Sequence, residues 1–159
     1  MQRRTPSNSQ TTLTDVILPA QTNNHGTVFG GEVMSYVDRV ASISASRHAG
    51  APVVTASFDS FDFLAPIQVG EVIHLRATVT WTGRTSMEIQ VIVEGENLYS
   101  GKRSVTGVCF LTFVAVDEDG RPIPVPPIKP ETEAERLQYE RGKERAQQRK
   151  KRRKAIAID

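Results

Sequence analysis

Cysteine, aromatic residues and long apolar runs are all scarce in this chain of 159 residues. Its single cysteine, Cys109, cannot form an internal disulfide, and the surrounding VTGVCFLTFVAV predicts a small buried packing residue. No apolar run approaches the roughly 18–20 residues of a membrane span, and no hydrophobic stretch follows the arginines of MQRRTPSNSQTT. From these absences we expect a soluble, cytoplasmic protein.

Metal-binding and phosphate-cradling motifs are also missing. The three histidines, His25, His48 and His74, lie far apart along the chain, and one cysteine cannot complete a metal-ligand spacing with them. The glycine patterns of Walker and dinucleotide-binding loops are absent. We therefore expect no metal and no resident cofactor.

Charge is unevenly distributed along the chain. Residues 1–129 carry ten basic and twelve acidic side chains, whereas residues 130–159 carry ten basic and six acidic ones. Helix-forming residues with opposite charges at three- and four-residue spacings dominate 131–154, but apolar anchors are few. This pattern predicts a charged C-terminal tail, either a solvated helix or a disordered segment. The run RKKRRK (149–154) is also compatible with nucleic-acid or anionic-membrane binding, but the lack of interleaved aromatics favours a solvated tail.

The order of predicted elements indicates a single α+β domain over residues 11–129. A polar segment, 1–10, is predicted to be disordered, and TLTDVILPA then has the pattern of a short strand. The following EVMSYVDRVASISASRHAG has apolar residues at helical spacing and ends before Gly50. After Pro52, four runs alternate with period two, joined by connections compatible with an antiparallel meander. We expect a five-stranded antiparallel sheet wrapped around one long central helix.

A long segment beginning at Pro19, PAQTNNHGTVFGGEVMSYVDRVASISASRHAG, resembles the signature of acyl-CoA thioesterases of the hotdog superfamily. These include bacterial short- and medium-chain enzymes and the vertebrate cytosolic acyl-CoA hydrolase. DSFDFLAPIQVGEVIHLRATVTWTGRTSMEIQVIVEGE, CFLTFVAVDEDGRPIPVPP and KPETEAERLQYERGK are similar to the family in order and spacing, over roughly residues 12–145. The resemblance implies a hotdog fold whose subunits pair into one continuous sheet, with active sites at the dimer interface and dimers commonly forming hexamers.

The resemblance also implies a catalytic pair drawn from two subunits. The helix aspartate corresponds to Asp38, and the loop asparagine of the partner corresponds to Asn23, with Asn24 as its rival. Asp38 would act as general base for water or as a nucleophile that forms a mixed anhydride, although a lone helix acid is usually exposed to solvent. Asn23 would hold the water or polarise the thioester carbonyl, although asparagine is also common in turns.

Two glycines, Gly30 and Gly31, directly precede the predicted helix. Unpaired N–H groups at a helix start can face an oxyanion, although these glycines could equally serve the entry turn. His25, in the same loop, has no evident partner, and we expect it to pack in the loop or contact substrate.

Coenzyme A would require cations and hydroxyl donors for its phosphates. The candidates are basic and hydroxyl side chains in two turns: Arg84, Thr85, Ser86, Lys102 and Arg103. Ala65, before Pro66, stands where relatives often have lysine, so one phosphate contact is missing or replaced. The acyl chain would lie beside the helix near four side chains that could also be plain core residues: Phe29, Met34, Phe61 and Phe63.

Together with these residues, the resemblance implies an enzyme that hydrolyses fatty acyl-CoA to free fatty acid and coenzyme A. Coenzyme A enters as part of the substrate, and the expected assembly is a homo-oligomer with the dimer as minimal active unit, arranged as a trimer of dimers. One alternative is a hotdog module that senses acyl-CoA without turnover, since the superfamily also contains regulators and dehydratases. A second alternative is nucleic-acid binding through the basic tail.

Overall fold

A five-stranded antiparallel sheet curves around one long helix in the computed structural model, which describes residues 1–157. The strands are β1 (Thr11–Val16), β2 (Val53–Phe63), β3 (Val72–Thr82), β4 (Ser86–Glu96) and β5 (Arg103–Ala115). The helices are α1 (Pro6–Ser9), α2 (Gly30–Ala49) and α3 (Glu133–Ala155), with a short 3-10 helix at Pro19–Gln21. The predicted α+β class is confirmed. Within residues 1–157, no helix has the length and apolar content needed to cross a membrane.

The strand order is β1-β3-β4-β5-β2, which differs from the predicted meander of four successive strands. Strands β3, β4 and β5 do form a meander, but β2 pairs with β5, from Val53 opposite Ala115 to Phe63 opposite Gly107. The meander with which the connections were compatible does not include β2, because period-two alternation reports a strand's buried face and not its partner. The outcome is that β2 forms an edge of the sheet.

The core lies between α2 and the inner face of the sheet. Val37, Val40 and Ala41 of α2 are fully buried, and they pack with inner-face residues of β3, β4 and β5. Cys109 is part of this cluster, as predicted. Each buried valine-sized side chain contributes about 1.5–3 kcal/mol, so this interface is the main source of stability. The helix ends at Gly50, whose φ of 66° requires a residue tolerant of the left-handed region.

Residues 1–10 have defined contacts, in contrast to the predicted disorder. Arg4 exchanges backbone hydrogen bonds with Pro127 and Lys129, and its guanidinium donates to the carbonyls of Arg47 and His48 at 2.7 and 2.6 Å. These carbonyls belong to the last turn of α2, which has no intrahelical donors for them. The N-terminal segment is thus ordered by capping the central helix, a role that its polar composition does not reveal.

Helix α3 lies on the outer face of the sheet, opposite α2. Thr132 caps its start by accepting from the Glu135 amide at 3.1 Å. Its sheet-facing charges are paired rather than solvated, because Arg145 donates at 2.9 and 2.8 Å to the fully buried carboxylate of Glu88. The helix approaches the sheet so closely that a Cβ at Gly142 would lie 2.7 Å from the Trp81 Cβ atom.

We expect Gly142→Ala to lower the free energy of unfolding by about 1–3 kcal/mol, as overpacking does in cores. Helix propensity alone predicts the opposite sign, since alanine is a better helix former than glycine by about 1 kcal/mol. Chemical denaturation at fixed protein concentration measures the difference. Lys143→Ala, at the neighbouring exposed position, is the control and should change stability little. A Gly142→Ala protein as stable as wild type would contradict the close approach of α3.

Candidate active site

The carboxylate of Asp38 is held by a threonine of the edge strand. Asp38 is half-buried on α2, and the Thr55 hydroxyl on β2 donates to its Oδ1 atom at 2.8 Å. One carboxylate oxygen is thereby oriented while the other has no partner among the described side chains. Sequence reasoning missed Thr55, because a threonine in an alternating strand has no local signal that separates it from an ordinary strand residue.

The side chain of Asn23 organises its own loop. Its Oδ1 atom accepts from the backbone amides of His25 and Thr27 at 2.9 and 3.3 Å, and its Nδ2 atom donates to the Thr27 hydroxyl at 2.9 Å. This is the turn role that asparagine commonly has. An amide nitrogen carries two donor hydrogens, so one remains available for a ligand. Asn24 is exposed.

A hydrogen-bonded network anchors this loop on the β1 side of α2. Gln21, at the loop's start, donates to the Tyr36 hydroxyl at 2.9 Å, and Tyr36 donates to Asp15 of β1 at 2.7 Å. The Tyr36 hydrogen bond is the main reason that the pKa of Asp15 is lowered. Burial, followed by the Asp15 hydrogen bond, raises the pKa of Tyr36. The Asp15 carboxylate therefore accepts a hydrogen bond from Tyr36 while the proton stays on the tyrosine. Through Gln21, the start of the loop remains hydrogen-bonded to α2.

One chain does not bring Asn23 and Asp38 together. Tyr36 and Asp38 are two residues apart on the helix, so their side chains diverge by about 200° around its axis. Tyr36 points to β1 at one edge of the sheet, and Asp38 points to β2 at the other edge. The loop that carries Asn23 is attached on the Tyr36 side, so the two predicted catalytic residues are separated within the chain.

Gly30 and Gly31 form the first turn of α2. Glu32 and Val33 donate to the Phe29 carbonyl, and the two glycine amides precede them where no intrahelical acceptor exists. A Cβ at Gly30 would lie 3.3 Å from the Phe63 ring, whereas one at Gly31 would meet nothing within 4 Å. Gly30 therefore permits the close approach of β2. The N–H groups of both glycines have no acceptor within the helix and can donate to a group beyond the helix start.

An apolar groove lies beside this helix start. It is lined by Val28, Gly30, Val33, Phe63 and Pro66 together with Thr106. Of the four side chains predicted to contact an acyl chain, Phe63 lines the groove and Phe61 stacks on it with ring centroids 4.1 Å apart. The other two lie outside the groove and are exposed: Phe29 and Met34.

The residues predicted to contact coenzyme A fall into two separate groups. Lys102 borders a polar hollow that shares Pro66 and Thr106 with the apolar groove. Arg103 is paired with Glu94 at 2.5 Å. The other group lies at the opposite end of β4, roughly 30 Å away by strand rise: Arg84, Thr85 and Ser86. A single chain therefore cannot present both groups to one pyrophosphate.

Comparison with known proteins identifies the family. A model of the thioesterase superfamily matches residues 25–102. An uncharacterized acyl-CoA thioester hydrolase of Bacillus subtilis is 47% identical over 92% of this chain and 85% of its own length.

The chain belongs to the thioesterase superfamily.

Solved structures of this superfamily extend the similarity to the whole fold. An apo-hexameric acyl-CoA thioesterase superposes with a TM-score of 0.93 at 46% identity, covering 99% of this chain and 100% of that one. An acyl-CoA hydrolase from Staphylococcus aureus, in complex with butyryl coenzyme A, has a TM-score of 0.89 at 39% identity, covering 95% and 92%. The predicted hotdog fold is confirmed. The chain spans 40% of the length of the rat cytosolic acyl coenzyme A thioester hydrolase, to which it is 40% identical over 94% of its own length.

Two further titratable groups of this thioesterase lie away from the groove. Burial raises the pKa of the Cys109 thiol to about 12, so it does not supply a thiolate nucleophile near neutral pH. His48 is fully buried, and its Nε2 atom lies 2.7 Å from the Pro126 carbonyl. Burial is the main cause that lowers the pKa of His48, so the ring stays neutral in the folded state.

We expect the free energy of unfolding of this thioesterase to fall as pH decreases below about 6.5, by at most ~1.4 kcal/mol per pH unit from His48. The protein loses stability as the pH falls because His48 in the unfolded chain binds a proton at a higher pH than His48 in the folded protein does. Denaturation series between pH 7.5 and 5 on wild type and His48→Gln measure the effect. His48→Gln should flatten the slope, whereas His25→Gln, in the exposed loop, should retain it. Identical slopes in wild type and His48→Gln would contradict the neutral buried ring.

Proposed function

We propose that this protein hydrolyses fatty acyl-CoA to free fatty acid and coenzyme A at a site shared by two copies of the chain. The observation that carries the proposal is the Asp38 carboxylate, oriented by Thr55 on the edge strand β2, whose outer side has no partner strand within the chain. A half-buried carboxylate with one free oxygen is suited to accept a proton from water. Its location at the edge makes it accessible to a second copy.

The spacing of three residues supports this assignment. The S. aureus acyl-CoA hydrolase, 38% identical, was solved as three alanine variants that replace an aspartate, a threonine or an asparagine. There the aspartate follows the asparagine by 15 positions, and the threonine follows the aspartate by 17. Asn23, Asp38 and Thr55 have the same two spacings. Asn24 does not, which favours Asn23 as the loop residue of the site.

The exposed edge of β2 supports pairing with a second copy. Val54 and Phe63 at its two ends are about half exposed, and an edge strand with apolar side chains is a template for strand pairing. Two-fold pairing must be antiparallel, so it would set Thr55 of one copy beside the Phe63 end of the other. The Asp38 carboxylate would then face the helix start and the Asn23 loop of the second copy. This geometry joins residues that one chain keeps apart.

The same pairing suggests how the substrate lies. The acyl chain would occupy the groove that contains Phe63, with Phe61 supporting the ring. Lys102 of that copy and the Arg84 turn of the other copy would flank the composite site from opposite sides. The two groups of coenzyme A candidates, separated within a chain, would thereby serve one substrate.

Each step of the reaction has a candidate residue. Asp38 would remove a proton from water, whose oxygen attacks the thioester carbonyl carbon. The amides of Gly30 and Gly31 and the free Nδ2 hydrogen of Asn23 would donate to the carbonyl oxygen as it gains negative charge. Cleavage of the C–S bond would release coenzyme A, and the proton would pass from Asp38 to the departing thiolate. Direct attack by Asp38, followed by hydrolysis of a mixed anhydride, uses the same residues.

We also propose a trimer of dimers and a cytoplasmic site of action. A thioesterase from Yersinia pestis, 35% identical with a TM-score of 0.68, is hexameric, as is the apo enzyme above. The rat, mouse and human relatives are named cytosolic. The proposed reaction requires no resident cofactor, because Asp38 activates water without a metal.

Thiol release from a panel of acyl-CoAs of increasing chain length tests the activity. We expect Asp38→Asn to lower kcat by about 100-fold or more, since it removes the general base. Asn23→Ala should lower kcat by at least about tenfold, since it removes an oxyanion donor. Thr55→Val should reduce kcat as well, and Thr55→Ser, which keeps the hydroxyl, should restore it. Binding of acyl-CoA without thiol release by wild type would favour the sensing alternative over hydrolysis.

Mixing two variants of low activity tests whether the site is shared. Equal amounts of Asp38→Asn and Asn23→Ala chains, unfolded together and refolded, should regain about a quarter of wild-type activity, because half of the dimers then contain one intact site. Each variant refolded alone is the control and should keep its own low activity. Recovery no greater than the mean of the two controls would place both residues in one subunit and contradict the shared site.

A further inference from the structure

A basic pocket lies between the β3-β4 turn and the last turns of α3, on the outer face of the sheet. Its walls include Trp81, Arg84 and Thr85 from the sheet and Arg149, Lys150 and Arg153 from the helix. Four of these side chains are cationic, and no carboxylate lines the pocket among the described residues. The pocket thus joins two features that the sequence left apart, the ArgThrSer turn and the basic C-terminal run.

The acidic side chain that contacts the lining residues Thr112 and Arg149, Asp59, already has several partners. Asp59 accepts from Arg152 at 2.8 Å and from the hydroxyls of Thr112 and Ser57 at 2.6 and 2.7 Å. Its remaining ion pair, with Arg149, is 3.5 Å long. One carboxylate therefore serves both Arg149 and Arg152, and the other three cations of the pocket wall have no carboxylate partner among the described residues: Arg84, Lys150 and Arg153.

Arg149 shows why an anion fits. Its side chain is only 8% exposed, yet the 3.5 Å contact with Asp59 is the single hydrogen bond that its guanidinium makes within residues 1–157. A guanidinium has five N–H donors, and burying a charge with unused donors is costly unless an acceptor is supplied. The hydroxyls of Thr85 and Ser86, on the opposite wall, are further donors. An anion in the pocket would accept from both walls.

We propose that this pocket binds the phosphate groups of a nucleotide ligand. Converging guanidinium groups and hydroxyls match the several acceptor oxygens and multiple charges of a phosphate better than a single carboxylate. The phosphates belong either to coenzyme A itself or to a free nucleotide that binds beside the active site. Binding of the phosphates of coenzyme A rests on the proposed hydrolysis, whereas binding of a free nucleotide goes beyond it.

The tryptophan in the pocket wall makes the proposal directly measurable. Trp81 is the single tryptophan of the chain, so its fluorescence reports on this pocket alone. Inorganic pyrophosphate, ADP, coenzyme A and 3′-dephospho-coenzyme A are titrated at constant ionic strength, with calorimetry as a second readout. We expect saturable binding of pyrophosphate by wild type. Lys150→Ala with Arg153→Ala should weaken it by at least about tenfold, since two charge-assisted contacts are lost.

A matched double variant controls for nonspecific electrostatic attraction of the anion to the basic helix end. Lys151→Ala with Lys154→Ala removes the same number of charges from the same exposed helix end, but neither residue lines the pocket. It should bind pyrophosphate as wild type does. Equal weakening in both double variants would overturn the proposal, as would an absence of saturable binding for every probe by both readouts.

Turnover distinguishes the two sources of phosphate. If the pocket holds the substrate's own phosphates, Lys150→Ala with Arg153→Ala raises KM for acyl-CoA but not for the corresponding acyl-pantetheine, which has no nucleotide. If it holds a free nucleotide, the variant loses ADP binding while both KM values stay unchanged. Either result supports the proposal that the pocket binds phosphate groups. A protein that binds pyrophosphate but releases no thiol would refute the proposed hydrolysis and leave the pocket intact.

Discussion

The antiparallel ladder between β2 and β5 fixes the position of the site. This pairing sends β2 to the edge of the sheet farthest from β1, so the central helix, which connects these two strands, must cross the inner face from edge to edge. Side chains on opposite sides of α2 consequently contact opposite edges, Tyr36 toward β1 and Asp38 toward β2. A single chain therefore keeps the two halves of the proposed hydrolytic site apart, and the proposed pairing at the exposed edge of β2 is what would bring them together.

The outer face of the sheet is subject to a different constraint. Glu88 and Asp59 are acidic residues on a surface that α3 covers, and burying a carboxylate is costly unless a cation accompanies it. Arginines of α3 supply those cations, and Gly142 lets the helix come close enough for Arg145 to reach Glu88. The basic composition of the C-terminal segment thus reflects a docked helix rather than a solvated one. Its last turns carry more charge than the sheet neutralises, and that excess forms the basic pocket.

Some residues of the proposed site could be identified from the sequence, and others could not. Asp38 by itself has the pattern of an ordinary exposed helix acid, and the family resemblance was needed to mark it as a candidate for the site. Thr55 carried no such conflict, since threonine is an ordinary strand residue, and only its hydrogen bond to Asp38 reveals it. Lys102 and the Arg84 turn could be named from charge, but their location at opposite ends of β4 depends on strand register.

Local patterning was sufficient for the five strands and the central helix, because helical and strand periodicities, Gly50 at a helix end and the turn residues are all set by near neighbours in the chain. Which strands pair, how α3 docks and which residues meet across the molecule depend on contacts between distant segments, and the same alternating pattern is compatible with several pairings. The sequence alone therefore determined the α+β class, the buried Cys109 and the candidate residues. Only the tertiary structure decided that β2 is an edge strand, that Arg149 is buried beside a basic pocket, and that Asn23 and Asp38 lie apart within one chain.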